Sequence, residues 1–246
     1  MVSVILPAYQ EAENLKVILP KLNQKLVDIG EPYEILVIDT MKPMDDAESI
    51  CNYNGCKYIN REGGNFYGDA MRTGFAKAQG DYVVVMDADG SHNPEDITRF
   101  YKEMTTGKYD LIIGSRYCKG GRTENGFILR LMSRVLNLTY RIVFGLKVDD
   151  VSDSFRMYKG EQLKSIKTEC DNFDIVEEIL ILMNYTIPDF KACEVPILFD
   201  KRASGQSKRD LKKFIKSYLV TMKKLLKVKN SVIHQEKREP KNEKNI

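Results

Sequence analysis

Tryptophan is absent from this chain of 246 residues, and histidine occurs only twice, as His92 and His234. Cysteine is sparse. Five residues (Cys51, Cys56, Cys118, Cys170 and Cys193) stand at irregular spacing, and the Cys51/Cys56 pair has no second Cys or His pair at zinc-ligand spacing. That argues against a disulfide framework and against a zinc module, and reads as the reduced thiols of a cytosolic protein. Long hydrophobic runs are lacking too. A bilayer span needs roughly 18 to 20 uncharged apolar residues; the best stretch here, Val135–Leu146, is shorter and contains Arg141. The sequence opens directly on an apolar strand-like run, Val2–Leu6, with no leader-like segment before it, so the expectation is a soluble or surface-bound protein rather than a spanning one.

What is present is 43% hydrophobic residues and a net charge of only +3, suited to one α/β domain with a short appendage. The charge is unevenly placed. Residues 206–246 hold 13 Lys or Arg against 4 Asp or Glu, so the first 205 residues are net acidic. An acidic-leaning body with a basic tail points to an anionic surface as partner.

Four short runs rich in Val and Ile read as strands: Val2–Leu6, Glu34–Ile38, Tyr82–Met86 and Leu111–Ile113. Between them, Leu15, Ile18, Leu19, Leu22 and Leu26 recur at helical spacing, a second helix is expected over Gly68–Ala78, and a third starts near Pro94. Strand–helix alternation with buried strands predicts a mainly parallel Rossmann-like sheet covered by helices on both faces. Ligands of such sheets sit beyond the carboxyl ends of the strands. Those ends carry Pro7-Ala8-Tyr9-Gln10-Glu11, Asp39, Asp87-Ala88-Asp89 and Gly114-Ser115-Arg116.

Of these, Asp87-Ala88-Asp89 is the most specific. In extended chain, residues two apart point to the same side, so both carboxylates can face one ion. Hard oxygen donors of this kind suit Mg²⁺ or Mn²⁺, which keep phosphate and water ligands beside a few protein carboxylates. A metal on a diphosphate neutralises a leaving group, as sugar transfer from a nucleotide requires. The plainer alternative is that Asp87 and Asp89 shape a turn or cap the next helix.

In order along residues 2 to 210, the motifs Val4-Ile5-Leu6-Pro7-Ala8-Tyr9-Gln10-Glu11, Gly80-Asp81, Met86-Asp87-Ala88-Asp89, Gly114-Ser115-Arg116-Tyr117, Lys119-Gly120-Gly121, Glu124-Asn125, Ser154-Phe155-Arg156, Arg202, Gly205 and Ser207-Lys208 resemble family 2 glycosyltransferases of the GT-A type, and within them the dolichol-phosphate mannose synthase group. The resemblance implies that Pro7, Tyr9, Glu11 and Asp39 line the pocket for base and ribose. It implies that Asp87, Ala88 and Asp89 hold the metal and the diphosphate, with Ser91 standing where some relatives have Gln and also reaching the metal. Arg202 and Lys208 would lie on a loop that closes on the donor phosphates. Arg116 and Arg130 match positions that meet the acceptor phosphate, and His92 is read as shaping the site.

Two departures stand out. Relatives carry a second acid after the second strand where this chain has Thr40, which leaves the donor base open, and Ser154 replaces a Gly. The activity implied is an inverting transfer of a hexose, mannose from GDP-mannose, to a polyprenyl or dolichyl phosphate at the cytoplasmic face of a membrane. UDP-glucose as donor and a glycan hydroxyl as acceptor are the nearer alternatives. A non-catalytic membrane-binding module is the one from another class.

A phosphate acceptor needs no general base, since a phosphomonoester with a second pKa near 6 already carries an ionised oxygen at neutral pH. Arg130, Arg134 and Arg141 share one face of a helical pattern whose other face is Phe127, Leu131, Val135, Leu138 and Ile142. It reads either as a helix resting on a membrane, arginines towards lipid phosphates, or as an ordinary amphipathic core helix. The tail repeats the pattern: Leu211, Phe214, Ile215, Tyr218, Met222, Leu225 and Leu226 form an apolar stripe among lysines, suited to an anionic lipid surface or to docking on protein. The domain reading is therefore a GT-A domain over 1–209, a basic amphipathic membrane-surface helix over 210–229, and a charged disordered tail over 230–246. Partners then expected are a nucleotide sugar, the lipid phosphate and an anionic membrane surface, with room for a small membrane-anchoring subunit. Nucleic acid is not expected, because only Phe214 and Tyr218 of the basic stretch could stack on bases.

Overall fold

The computed structural model describes residues 1–201 and 211–238. Along the chain run β1 (Val2–Pro7), α1 (Ala12–Ile29), β2 (Tyr33–Asp39), α2 (Ala47–Tyr53), β3 (Lys57–Asn60), α3 (Tyr67–Lys77), β4 (Tyr82–Val85), α4 (Asp96–Met104), β5 (Leu111–Ser115), β6 (Arg122–Thr123), α5 (Phe127–Phe144), β7 (Arg156–Lys159), α6 (Gly160–Ser165), α7 (Ile175–Thr186), β8 (Ala192–Pro196), β9 (Leu198–Phe199) and α8 (Leu211–Arg238). Seven strands form one sheet in the order β3-β2-β1-β4-β7-β5-β8, and β6 pairs with β9 in a two-stranded ribbon. All neighbours in the large sheet are parallel except β7, which runs antiparallel to both β4 and β5.

The alternation of side chains along β1 shows how the layers are filled. Val2, Val4 and Leu6 face one core, shared with Leu15, Leu19 and Leu22 of α1 and Phe100 of α4; Ile5 faces the other, shared with Met71 and Phe75 of α3 and with α7. Helices thus cover both faces, as expected of strands that are apolar throughout. Packing of α3 on β1 is close: a Cβ on Gly74 would stand 2.6 Å from Ile5 Cγ2.

This topology sets the site. From β1 the chain turns to β2 and β3 on one side and then crosses to β4 on the other, so β1 and β4 flank a point where the strand order reverses. In open α/β sheets the ligand crevice lies beyond the carboxyl ends of such a pair.

Two amphipathic segments have different fates. On α5, Asn137, Tyr140 and Phe144 face inward, while the apolar face looks outward, with exposures from 52% at Leu131 to 73% at Ile142. An ordinary core helix would bury that face, so the core-helix alternative is corrected. On α8, by contrast, Tyr218, Thr221 and Leu225 are buried, and Met222 and Leu226 pack into the same core as α7. The central part of the tail stripe therefore faces protein. The side chains of Leu211, Phe214 and Ile215 lie outside the described residues. The helix also continues through residue 230, expected to begin a disordered tail, as far as Arg238; residues 239–246 lie outside the described residues. No helix among the described residues is long and apolar enough to cross a membrane.

Candidate active site

Register brings the candidate residues to one edge. Pro7 of β1 pairs with Ile38 of β2, and Ile5 with Val85 of β4. The ladder continues one step, through Ala8 N–H to Ile38 O (2.9 Å) and Met86 N–H to Ile5 O (3.1 Å). Asp39 and Asp87 thus emerge on either side of the end of β1. Tyr9 and Glu11 follow β1 into α1; Tyr9 is exposed and the Glu11 carboxylate accepts from Asn14 Nδ2 at 2.5 Å.

Asp39 is buried. Its Oδ2 accepts from Tyr58 OH (2.9 Å), while Oδ1 is buried with no hydrogen-bond partner. A buried, unmet carboxylate oxygen is costly unless a ligand supplies a donor. Thr40, in place of a second acid, turns its hydroxyl inward to Lys42 O (2.6 Å).

After β4 the chain leaves the ladder. Asp87 Oδ1 accepts from Tyr67 OH at the start of α3 (3.2 Å). Asp89 Oδ1 accepts from both Ser91 N–H (3.0 Å) and Ser91 Oγ (2.5 Å), across Gly90 at φ +82°. Ala88 is buried between them. Ser91, expected at the metal, is fully buried and holds Asp89 in place. Its carbonyl accepts from Asp200 N–H (3.0 Å), two residues before Arg202. Arg202 and Lys208 themselves lie outside the described residues.

The two candidate acceptor arginines differ. Arg116 is buried, its Nε and Nη2 each 2.7 Å from the Asp150 carboxylate, with Ser152 Oγ at 2.8 Å and Asp153 Oδ2 at 3.1 Å. Burial opposes its charge, but Asp150 and Asp153 outweigh that and drive its pKa upward. Arg116 is thus held inside the protein by its own counter-ions. Arg130 is exposed on α5, its guanidinium 6.0 Å from the Phe127 ring. Of its neighbours, Arg134 lies over Tyr117 (5.5 Å) and Arg141 is paired with Asp149 (2.6 Å). The set of three lipid-directed arginines is corrected to that extent, because Arg141 has a carboxylate within the chain.

Sequence reasoning missed three contributors. Tyr67 reaches Asp87 from α3, where nothing in its neighbourhood marks it. Arg61 is buried and bonds Ala8 O, Asn65 O and Phe66 O, tying the end of β1 to the turn before α3. Asp153 sits between His92 Nε2 (3.2 Å) and Arg116; it immediately precedes Ser154-Phe155-Arg156, but its partners are some 40 and 60 residues away in sequence.

Known proteins resemble this chain in sequence and in fold. The family model described as glycosyl transferase family 2 matches residues 3–166. A dolichol-phosphate mannosyltransferase of Pyrococcus furiosus is 36% identical over 214 residues, covering 84% of this chain and 58% of that protein, so the chain spans little more than half of that relative's length. A polyprenol monophosphomannose synthase of Mycolicibacterium smegmatis is 32% identical over 215 residues, covering 83% of this chain and 79% of that one. Among solved structures, glucosyl-3-phosphoglycerate synthase from Mycobacterium tuberculosis in complex with Mn²⁺, UDP and glucosyl-3-phosphoglycerate superposes with a TM-score of 0.71 at 20% identity, over 92% of this chain and 80% of that chain. The same enzyme with Mg²⁺ and UDP gives 0.70, over 90% and 79%. These structures bear out the GT-A Rossmann-like fold; the family model and the two relatives show that this chain belongs to glycosyltransferase family 2, with its likeness to the dolichol-phosphate mannose synthase group.

Proposed function

We propose that the protein transfers mannose from GDP-mannose, with inversion, to a polyprenyl or dolichyl phosphate at the cytoplasmic face of a membrane. The observation that carries the reading is the placing of Asp39 at the carboxyl end of β2 and of Asp87 and Asp89 just beyond that of β4, on either side of β1, with the buried Oδ1 of Asp39 lacking a donor. The two mannosyl-transferring relatives act, by their names, with dolichol phosphate or polyprenol monophosphate.

The donor set fits a hard divalent cation. Asp87 and Asp89 supply two carboxylates, Asp89 buried and Asp87 half-buried, a pair that suits an ion completed by phosphate and water. The related M. tuberculosis structures contain Mn²⁺ or Mg²⁺ with UDP. Bound there, the ion would supply charge neutralisation on the diphosphate leaving group. Asp39, with Pro7, Tyr9 and Glu11, would receive the nucleoside. Arg202 and Lys208 would add positive charge at the donor phosphates, and Arg130, on the exposed side of α5, would meet the acceptor phosphate, with Arg116 behind it.

In the reaction an ionised oxygen of the lipid phosphate attacks the anomeric carbon, the new C–O bond forms opposite the breaking bond to the diphosphate, and GDP departs. No proton has to be removed from the acceptor, so catalysis rests on positioning and charge stabilisation. The apolar face of α5 would lie on the membrane, presenting Arg130 at the level of the phosphates.

The test is incubation with labelled GDP-mannose or UDP-glucose and a polyprenyl phosphate. Expected is an acid-labile mannolipid, formed only with divalent metal and lost, by at least ~100-fold, in Asp89→Ala. Product from UDP-glucose alone would overturn the mannose assignment. Undiminished turnover in Asp89→Ala would overturn the site.

A further inference from the structure

We propose that His92 is a positioning residue for the donor-phosphate end of the site, acting through the backbone of Asp87. The inference rests on the functional reading above and deepens it. Strand β4 ends at Val85, and Met86 N–H makes the last bond to β1. The next amide, Asp87 N–H, needs an acceptor from elsewhere. His92 Nδ1 supplies it at 3.1 Å.

That bond fixes the tautomer. A nitrogen that accepts from an amide carries no proton, so the neutral ring bears its hydrogen on Nε2, which faces Asp153 Oδ1 at 3.2 Å. Asp153 is itself anchored: Phe155 N–H donates to Oδ1 (2.8 Å), and Arg116 Nε lies 3.1 Å from Oδ2. Burial disfavours the Asp153 carboxylate, but Arg116 and His92 outweigh it and hold the carboxyl below its usual range. The imidazole, 2% exposed, is stacked on Phe155 (4.8 Å between centroids, 23° between planes) and meets Phe199 edge-on at 5.2 Å. It can neither swing nor flip without breaking one of these contacts.

A histidine buried only for packing would be satisfied by any polar partner. This one accepts from the amide of the first acid of the Asp87-Ala88-Asp89 motif, while Tyr67 holds the carboxylate of the same residue. Asp87 is thus gripped at backbone and side chain, and the imidazole sets where its carboxylate stands relative to Asp89. The chain of partners runs on from Arg116 to Asp150 and, through Asn137 Nδ2 (3.3 Å), to α5.

The experiment compares His92→Phe, which keeps a stacked ring and removes the acceptor, with His92→Asn, whose side-chain oxygen can accept near the Nδ1 position. Binding of GDP with and without Mg²⁺ is measured by calorimetry, beside thermal melting. His92→Phe should weaken metal-dependent GDP binding about 10–100-fold, the range seen when groups orienting a metal ligand are removed. Metal-free binding should be unchanged. His92→Asn should recover most of the metal-dependent affinity without recovering the melting temperature, because it replaces a stacked ring by a smaller polar group. Should His92→Phe fail to fold, Asp153→Asn reads the same axis, weakening metal-dependent binding while retaining the imidazole. Metal-dependent affinity equal to wild type in these variants, or lost in step with melting temperature in His92→Phe and His92→Asn alike, would overturn the role of His92. Wild-type protein that binds neither GDP nor UDP would instead overturn the functional reading itself.

Discussion

Helices α5 and α8 look alike in sequence, each a basic amphipathic helix with an apolar stripe, and the fold uses them in opposite ways. The stripe of α5, made of Phe, Ile, Leu and Val, faces outward. The described part of the α8 stripe, Tyr218 to Leu226, lies against α7 and α5, with Tyr140 OH donating to Tyr218 O (3.2 Å), Lys224 reaching Glu178 (3.2 Å) and Glu169 (2.8 Å), and Lys229 Nζ donating to Val143 O (2.6 Å). Amphipathicity says that a face is apolar and not what covers it. The distinguishing signal is polar complementarity. The α8 face includes Tyr218 and Thr221, which meet a buried acidic end of α7 formed by Asp174, Glu177 and Glu178; the α5 face offers no polar group to any partner.

The comparison breaks first at Leu225, fully buried under α8. Leu225→Ala should lower the free energy of unfolding by about 2–5 kcal/mol, the cost of a cavity at a buried leucine, read from urea denaturation. A loss below about 1 kcal/mol would mean that α8 is not docked in solution, and its stripe would return to the reading shared with α5.

Glu177 sharpens the same seam. Burial raises its pKa to about 8, and the nearby Arg156 only partly offsets that. In the unfolded chain the carboxyl ionises near 4.5, so between those values the folded state holds a proton that the unfolded state has lost. Stability from this group is therefore complete below the unfolded value and declines as pH rises towards 8, at a slope approaching ~1.4 kcal/mol per pH unit. Glu177→Gln should flatten that decline, being more stable than wild type at pH 8.5 and closer to it at pH 5. Parallel stability curves for the two proteins would show that Glu177 ionises in place.

How far the sequence spoke follows from the same physics. The four expected strands are β1, β2, β4 and β5, each shifted by no more than two residues at an end. Buried parallel strands read as apolar runs, and the polar residues after them fall at the ligand edge by topology alone. Strands β7 and β8 escaped notice because Arg156-Met-Tyr-Lys159 and Ala192-Cys-Glu-Val-Pro196 are not apolar runs. Their charged members work inside the fold: Arg156 bonds three backbone carbonyls, and Glu194 accepts from the amides of Asp149 and Asp150. The line from His92 through Asp153 and Arg116 to Asp150 joins residues that only the completed sheet brings together. Arg116 was legible as a strand-end cation, but its buried carboxylate partners were not.

The smallest effect on stability is expected where the two helices differ most. Replacing Leu131, Val135 and Ile142 of α5 together by Gln removes side chains that touch mainly solvent, so each should change unfolding by no more than about 0.5 kcal/mol. Yet a Leu, Val or Ile buried from water is worth ~1.5–3 kcal/mol, so a face that inserts at a lipid surface would lose several kcal/mol of partitioning. Co-sedimentation with anionic phospholipid vesicles should therefore fall sharply in a variant that melts like the wild type. Substituting exposed Leu219 and Val220 of α8 should leave vesicle binding largely intact, because among the described residues of the docked helix the exposed positions after these two are polar, not a continuous apolar stripe. If the α5 variant still sediments while the α8 variant is released, the helices have exchanged roles, and the proposed place of Arg130 at the lipid phosphates falls with that exchange.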